Sequence, residues 1–416
     1  MKVILFENQN TDKMLPMTHT RPVYDILCGG RRQWERVIET FGSQNVSLLT
    51  RNHLKNIINT KTGLSVNKIP EDECMFLDGS VLFSREKMKK LSYDLNIGEM
   101  VVQDERIIAL KPEINSYKEI VNKIITGEKI DLRTMKKIEI SPIPSLVHPW
   151  DIVYNNGLMI KMDFNELQNN FNIFKTQRDL AYTQEKTIDT QRIFDQSKGP
   201  IVLEGKIDIK SPGRIEGPTW IRDGCEIRSG IIGQNTSIGE RCKIGGEIEI
   251  SVVEGYSNKA HEGYIGHSYV GEWVNIGALS VISNLKNTYG NIKMNINHKK
   301  INTNLEKLGT FIGDNAKISV GSIIYSGLKI GVGSHIHGYV VKDVPSFCIY
   351  MNSITGKSVA LELESAIRTQ SRMFLRRGIE HDGIHSDILK HVYLITEKER
   401  KDKGILKEKL VIHFQK

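Results

Sequence analysis

The chain has 416 residues, a net charge of +8, and a composition that is 39% hydrophobic and 25% charged. That length admits two domains with ample core, and the composition reads as a soluble globular protein. No run approaches the ~18 apolar residues of a membrane span, and the opening MKVILFENQNTDK carries too short an apolar stretch for a signal peptide. The five cysteines (Cys28, Cys74, Cys225, Cys242, Cys348) are scattered and never spaced as CxxC. This argues for a reducing cytoplasm and against structural zinc. The basic excess includes a Lys-rich tail, KERKDKGILKEK. No zinc-finger, helix-turn-helix or RNP-like signature points to nucleic acid, so the charge reads as a solvated tail and a preference for phosphorylated substrates.

Taken in order, residues 1–195 alternate between strand and helix patterns. VILF opens as a buried strand, and VYDILCGGRRQWERVIETF predicts a helix interrupted near Gly29-Gly30. VSLLT and CMFLD are apolar runs of strand length, separated by the helix-like RNHLKNIIN. Such alternation predicts a doubly wound, Rossmann-like sheet whose ligands bind beyond the strand carboxyl ends. DFNELQNNFNIFKTQRDLAY predicts an amphipathic linker helix started by Asp163, and Gly199-Pro200 marks the hand-over.

Residues 196–350 follow another rule. Ile215, Ile221 and Ile227 recur every six residues, then Ile232, Ile238, Ile244 and Ile250, then Tyr264, Val270, Ile276 and Ile282. Ile312, Ile318, Ile324, Ile330 and Ile336 resume the step. Neither a helix nor an ordinary strand sustains a period of six, whereas a hexapeptide parallel β-helix does. One aliphatic per six residues predicts a triangular prism with left-handed crossovers, an exception to the right-handed rule. Between Leu285 and Thr310 the period disappears, which predicts a loop extruded from one coil. Residues 351–416 read as a helical tail, a lid on the open coil or a brace between subunits.

Because aliphatics fill such a prism, chemistry must sit outside, in a groove between subunits of a symmetric assembly. His261, in SNKAHEGY, interrupts the repeat and could accept a proton near neutral pH. A surface histidine between coils and a metal site are the competing readings. His267, six residues on, should point about a third of a turn away, and His335 and His337 lack an evident third ligand.

The block SNKAHEGYIGHSYVGEWVNIGA, with IRSG before it and SNLKNTYG after, resembles the bifunctional family that acetylates glucosamine-1-phosphate and uridylylates the product. LPMTHTRPVYDILCGG, PWDIVYNNG and the tail's Arg pair extend the resemblance to a variant sugar nucleotidyltransferase form over nearly the whole chain. It implies an α/β nucleotidyltransferase-like domain (1–195), a left-handed parallel β-helix acyltransferase domain (196–350) and the C-terminal helix. It also implies a cytoplasmic homotrimer that uses acetyl-CoA and Mg²⁺. His261 is then the base that deprotonates the sugar amine. Arg228, Tyr264, Asn275 and Lys293 hold the sugar phosphate, and Ala278 and Asn284 meet acetyl-CoA. In the first domain, Lys13 and Arg21 take the nucleotide-binding cations' places and Asp78 the magnesium carboxylate's. The chain departs from the pattern in lacking the Gly-rich phosphate loop and in carrying Ser80 where the metal acid is expected. Two further readings therefore stand beside the bifunctional one: a regulator that binds a nucleotide sugar without catalysis, and a nucleotidyltransferase whose β-helix serves only assembly.

Overall fold

The computed structural model describes residues 1–128, 132–175, 180–183, 193–210 and 213–408. The chain divides into two compact units, Met1–Ile26 with Arg31–Asp151, and Leu27–Gly30 with Ile152–Lys416.

The first unit is built on a seven-stranded sheet in the order Ser65–Val66, Val46–Leu49, Lys2–Phe6, Cys74–Asp78, Arg106–Lys111, Glu99–Gln103, Lys136–Glu139. The first four strands run parallel, Arg106–Lys111 lies antiparallel to both its neighbours, and the last pair is parallel again. Val3–Phe6 and Met75–Leu77 are buried, which is why both segments read as unbroken apolar runs rather than alternating ones. Helices Gln33–Phe41, Lys55–Thr62, Arg85–Asp94 and Tyr117–Thr126 complete the unit. The helix expected from Val23 forms only from Gln33. Val23–Asp25 is a single 3-10 turn, Gly29 adopts φ +82°, and Leu27–Gly30 belongs to the second unit.

In the second unit the helix expected at 163–182 lies earlier, at Pro149–Leu167. Strand Asn172–Lys175 follows it, and residues 176–179 fall outside the described residues. Asp163 is no cap. Its buried carboxylate accepts the Gly30 N–H at 2.8 Å, while Ile160, Phe164, Leu167 and Phe171 pack with Trp220 and Val202. The expected boundary at 195 falls on strand Ile193–Asp195, which pairs in parallel with Gly213–Glu216.

From there the chain winds as a parallel β-helix whose core is three ladders of inward residues. Ile215, Ile232, Ile248, Ile265, Ile282, Ile324 and Val340 stack in register on one wall. Leu203, Ile221, Ile238, Val253, Val270, Ile312 and Ile330 form the second. Ile209, Ile227 and Ile244 open the third, which ends with Ile276, Ile318, Ile336 and Tyr350. β-Branched side chains suit these positions because a pleated wall packs them without loss of rotamer freedom. Two phase assignments fail. Ile248 and Ile265, not Ile250 and Tyr264, point inward, because the corner at Gly245-Gly246 and the one between Ile265 and Val270 are both shorter than a full hexapeptide. The loop at 285–310 contains an antiparallel hairpin, Lys293–Ile296 with Lys299–Asn302.

Strand Cys348–Tyr350 ends the winding and pairs antiparallel with Ser358–Ala360. The helical tail then does two things. Helix Leu363–Leu375 lies along a side wall, with Phe374 stacked on Trp273 at 4.2 Å. Helix Gly383–Ile395 and Glu397–Asp402 cover the last coil, where the buried Arg400 guanidinium donates to the carbonyl oxygens of Ser346 and Tyr393.

Candidate active site on an edge of the solenoid

One edge of the prism gathers several of the residues singled out by sequence. Gly213, Gly230 and Gly246 stack in register, and Gly263 follows them. A β-carbon on Gly230 would lie 1.9 Å from the Gly246 carbonyl oxygen, and one on Gly246 would lie 2.7 Å from that of Gly263. These glycines let successive coils close tightly, so the edge is narrow. Arg228 and Ser229 stand on one coil, Gly245-Gly246 leave the next without side chains, and His261 and Glu262 stand on the third. Ser229 Oγ donates to Glu262 Oε1 at 3.3 Å across that gap. The next coil brings Ala278 to the same edge, since Leu279 N donates to the Glu262 carbonyl at 2.7 Å and Gly321 N to that of Ala278 at 2.8 Å. Arg228, His261 and Ala278 therefore line one edge, with His261 exposed to solvent.

Tyr264 and Asn284 lie on the wall that follows, joined to each other. Tyr264 Oη donates to Glu249 Oε1 at 2.6 Å and accepts from Asn284 Nδ2 at 2.7 Å. Burial first, then the Glu249 bond, push the Tyr264 hydroxyl well above its ordinary range. Asn284 Nδ2 also meets His267 Nδ1 at 2.9 Å. His267 is buried and, chiefly for that reason, held down to about 4. It is part of this network rather than an idle face of the coil. Asn275 is exposed on the preceding wall, in register with Asn258 and Lys317. Lys293 lies apart from this group, exposed on the antiparallel hairpin. Among the described residues no cluster of three or more His, Cys, Asp or Glu could hold a metal, and the histidine metal reading finds no support.

Sequence reasoning missed three features. Ser319 Oγ meets His337 Nδ1 at 2.8 Å, placing a hydroxyl–imidazole pair further along the edge. Lys317 Nζ donates to the carbonyl oxygens of Trp273 and Asn315 at 3.0 and 2.7 Å. Lys259 sits inside the prism, 1% exposed, where the phase calls for an aliphatic. Its position, fifteen residues after Ile244 and seventeen before Ile276, was the available signal.

Burial lowers Lys259 to about 8 and Lys317 to about 7, from an ordinary 10.5. At these two positions the unfolded chain binds more protons than the folded one between about 7 and 10, so their contribution to stability rises with pH across that window. Burial pushes the Cys74 and Cys348 thiols up to about 11 and 12, which works in the opposite sense at the alkaline end, so the lysine contribution is read as a difference: the urea midpoint of the intact protein should gain on that of Lys317→Met as pH rises from about 7. Parallel curves would contradict this.

In the first unit a cleft of about 950 Å³ opens at the carboxyl end of Lys2–Phe6, where a doubly wound sheet binds ligands. It is lined by Glu7–Asp12, Arg51, Arg106 and Arg133, among others. Glu7 organises its floor, accepting from Thr50 Oγ1 at 2.6 Å and from Arg51 Nη2 at 3.0 Å. Lys13, Arg21 and Asp78 are not in the lining. Arg21 is buried beside Asp25, Nη1 to Oδ2 3.9 Å, a structural position rather than a phosphate clamp. Asp78 is fully buried, with Oδ2 accepting from Asn8 Nδ2 at 2.7 Å and Oδ1 from Ser80 N at 2.8 Å. Burial pushes its carboxyl up. A Mg²⁺ site needs carboxylate oxygens open to the ion, and these residues do not fit one. Asp78→Asn should accordingly act on folding. Its amide nitrogen would face a donor, at a cost of roughly 1–3 kcal/mol, measurable as a lower urea midpoint.

Comparison with known proteins agrees with both halves. Residues 3–171 match the sugar nucleotidyl transferase family model, so the chain carries a domain of that class. Over most of its length it is similar to bifunctional transferases. It is 26% identical over 399 residues to the bifunctional sugar-1-phosphate nucleotidylyltransferase/acetyltransferase of Sulfurisphaera tokodaii, covering 83% of this chain and 98% of that protein. It is 23% identical over 382 residues to the bifunctional protein GlmU of Methanocaldococcus jannaschii, covering 77% and 89%. A shorter match, 31% identical over 106 residues, links 26% of this chain to 25% of GlmU from Methanococcus aeolicus. No helix among the described residues is long and apolar enough to cross a membrane.

Proposed function

We propose that the chain is a bifunctional sugar-1-phosphate nucleotidyltransferase/acetyltransferase whose β-helix edge N-acetylates an amino-sugar phosphate of the glucosamine-1-phosphate type. The observation that carries this reading is the alignment of Arg228, His261 and Ala278 on one edge, across coils thinned by glycine. An ammonium group cannot attack, so the exposed imidazole of His261 takes a proton from the substrate amine. The amine nitrogen then bonds to the thioester carbonyl carbon of acetyl-CoA. The carbonyl reforms as the C–S bond breaks, the nitrogen releases its second proton to solvent to become the amide, and the CoA thiolate takes the proton held on the His261 imidazolium. Arg228, already oriented by Glu226 at 2.8 Å, supplies the cation for the phosphate. Tyr264 and Asn275 flank the sugar, and Ala278 and Asn284 border the path of the acetyl-CoA. The cleft of the first unit is the place for a nucleotide sugar. Its arginines replace the missing Gly-rich loop, and no step there is assigned to Mg²⁺.

Several apolar side chains on the outer surface of the solenoid support assembly of the edges into a trimer: Leu279 (67% exposed), Val320 (72%) and Tyr339 (56%). Mass measurement in solution should show three protomers, and a monomer at micromolar concentration would remove the inter-subunit groove. The reading as a whole is tested by incubating the protein with glucosamine-1-phosphate, acetyl-CoA and UTP, separately and together. Mass spectrometry should show an acetylated sugar phosphate, and a nucleotide sugar when all are present. A nucleotide sugar without acetylation would reduce the β-helix to assembly, and neither product would favour the regulatory reading.

A further inference from the structure

The inward ladder of the third wall contains one residue that does not belong to an apolar core. Lys259 pairs in register with Ile244, and its neighbour Asn258 pairs with Asn275, which places Lys259 between Ile244 and Ile276 in the stack. Ile227, Ile318 and Ile336 continue that stack. Its ammonium reaches the corner of its own coil, where Nζ donates to the carbonyl oxygens of His261 and Glu262, the latter at 2.8 Å. Both recorded partners are backbone carbonyls. Next to them, Gly263 takes φ +135°, and a β-carbon there would lie 2.9 Å from the lysine Nζ. The corner that presents His261 is thus folded around this ammonium.

We infer that Lys259 is a positioning residue for His261, fixing the corner from inside the prism so that the imidazole stands on the edge. The inference rests on the reading of His261 as the base. Stability alone favours an aliphatic here. A buried cation without a hydrogen-bonded carboxylate is expensive, and the stacked isoleucines show what the ladder accepts. What an isoleucine cannot do is donate to two corner carbonyls that turn inward at the residue carrying the imidazole. Burial lowers the lysine's proton affinity, consistent with a group held where the core resists charge.

Lys259→Met fills the same volume without donors. In the full-length protein its thermal midpoint should hold or rise, while kcat for acetyl transfer should fall about 10²-fold, the usual effect of a misplaced catalytic group. KM for glucosamine-1-phosphate should stay within about 2-fold, since the residues assigned to the phosphate and ring are untouched. Amide exchange at 260–263 should accelerate while exchange at the Ile312–Ile336 coils does not. Lys259→Gln, which keeps N–H donors, should recover part of the rate and protection, and it decides the matter should the methionine variant fail to fold. Unchanged kcat together with unchanged exchange at 260–263 would overturn the inference. A parallel His261→Ala measurement separates the two possible failures. If His261→Ala is inactive and Lys259→Met fully active, the positioning role alone falls; if His261→Ala retains activity, the base reading falls with it.

Discussion

His261→Ala should slow acetyl transfer by about 10²–10⁴-fold, the range for a positioned base, while leaving sugar-phosphate affinity nearly unchanged. The side chain is exposed on the edge, so its removal disturbs no packing, and Arg228, Tyr264 and Asn275 remain to hold substrate. A suitable control is His298→Ala, an exposed histidine at the tip of the antiparallel hairpin. His267→Ala is a poor control, since a buried ring bonded to Asn284 cannot be removed silently. Equal rates for His261→Ala and the intact protein, measured as CoA released, would dismiss the base.

Gly230→Ala should be the most damaging small substitution in the solenoid. Gly230 has φ +141°, a conformation L side chains rarely adopt, and the new methyl would fall 1.9 Å from the Gly246 carbonyl oxygen. The obstacle is backbone, so no side chain can move aside. Strain and overpacking together suggest a loss of about 3 kcal/mol or more. The coil between Arg228 and His261 would have to open, so acetyl transfer should fail along with the urea midpoint. Gly321→Ala offers a comparison: its φ is +64° but nothing lies within 4 Å of the added carbon, and the loss there should be near 1 kcal/mol. A Gly230→Ala protein as stable as Gly321→Ala would show that the edge is looser than its geometry.

The repeat was legible because a solenoid writes its core into the sequence at a fixed step. From Ile312 to Ile336 every phased isoleucine is buried. The phase slipped where corners shorten at glycine, so Tyr264 read as core although its hydroxyl bonds Glu249 and Asn284. His261 stood out where the repeat is interrupted, and Arg228 and Ala278 through the resemblance of their motifs, but the buried Lys259 beneath them did not, since a polar residue within a periodic run reads as a corner. The strands of the first unit were also readable, their apolar runs reflecting burial on both faces. Its ligand cleft was not. Lys13, Arg21 and Asp78 were chosen by position along the chain, whereas the cleft is shaped by Arg51, Arg106 and Arg133, brought together only by the sheet. Asp163 misled for a related reason, because a helix-starting residue and a buried acceptor for a distant N–H look alike in sequence.

In the proposed reaction the glycine-thinned edge is where the amino sugar meets the acyl donor. A crystal structure of the protein with glucosamine-1-phosphate and CoA tests it most directly. The sugar amine should lie within roughly 2.6–3.2 Å of the His261 imidazole, hydrogen-bond reach for a base, with the phosphate against Arg228 and the CoA thiol near Ala278. Ligands ordered on another wall of the prism, with His261 facing empty solvent, would contradict it.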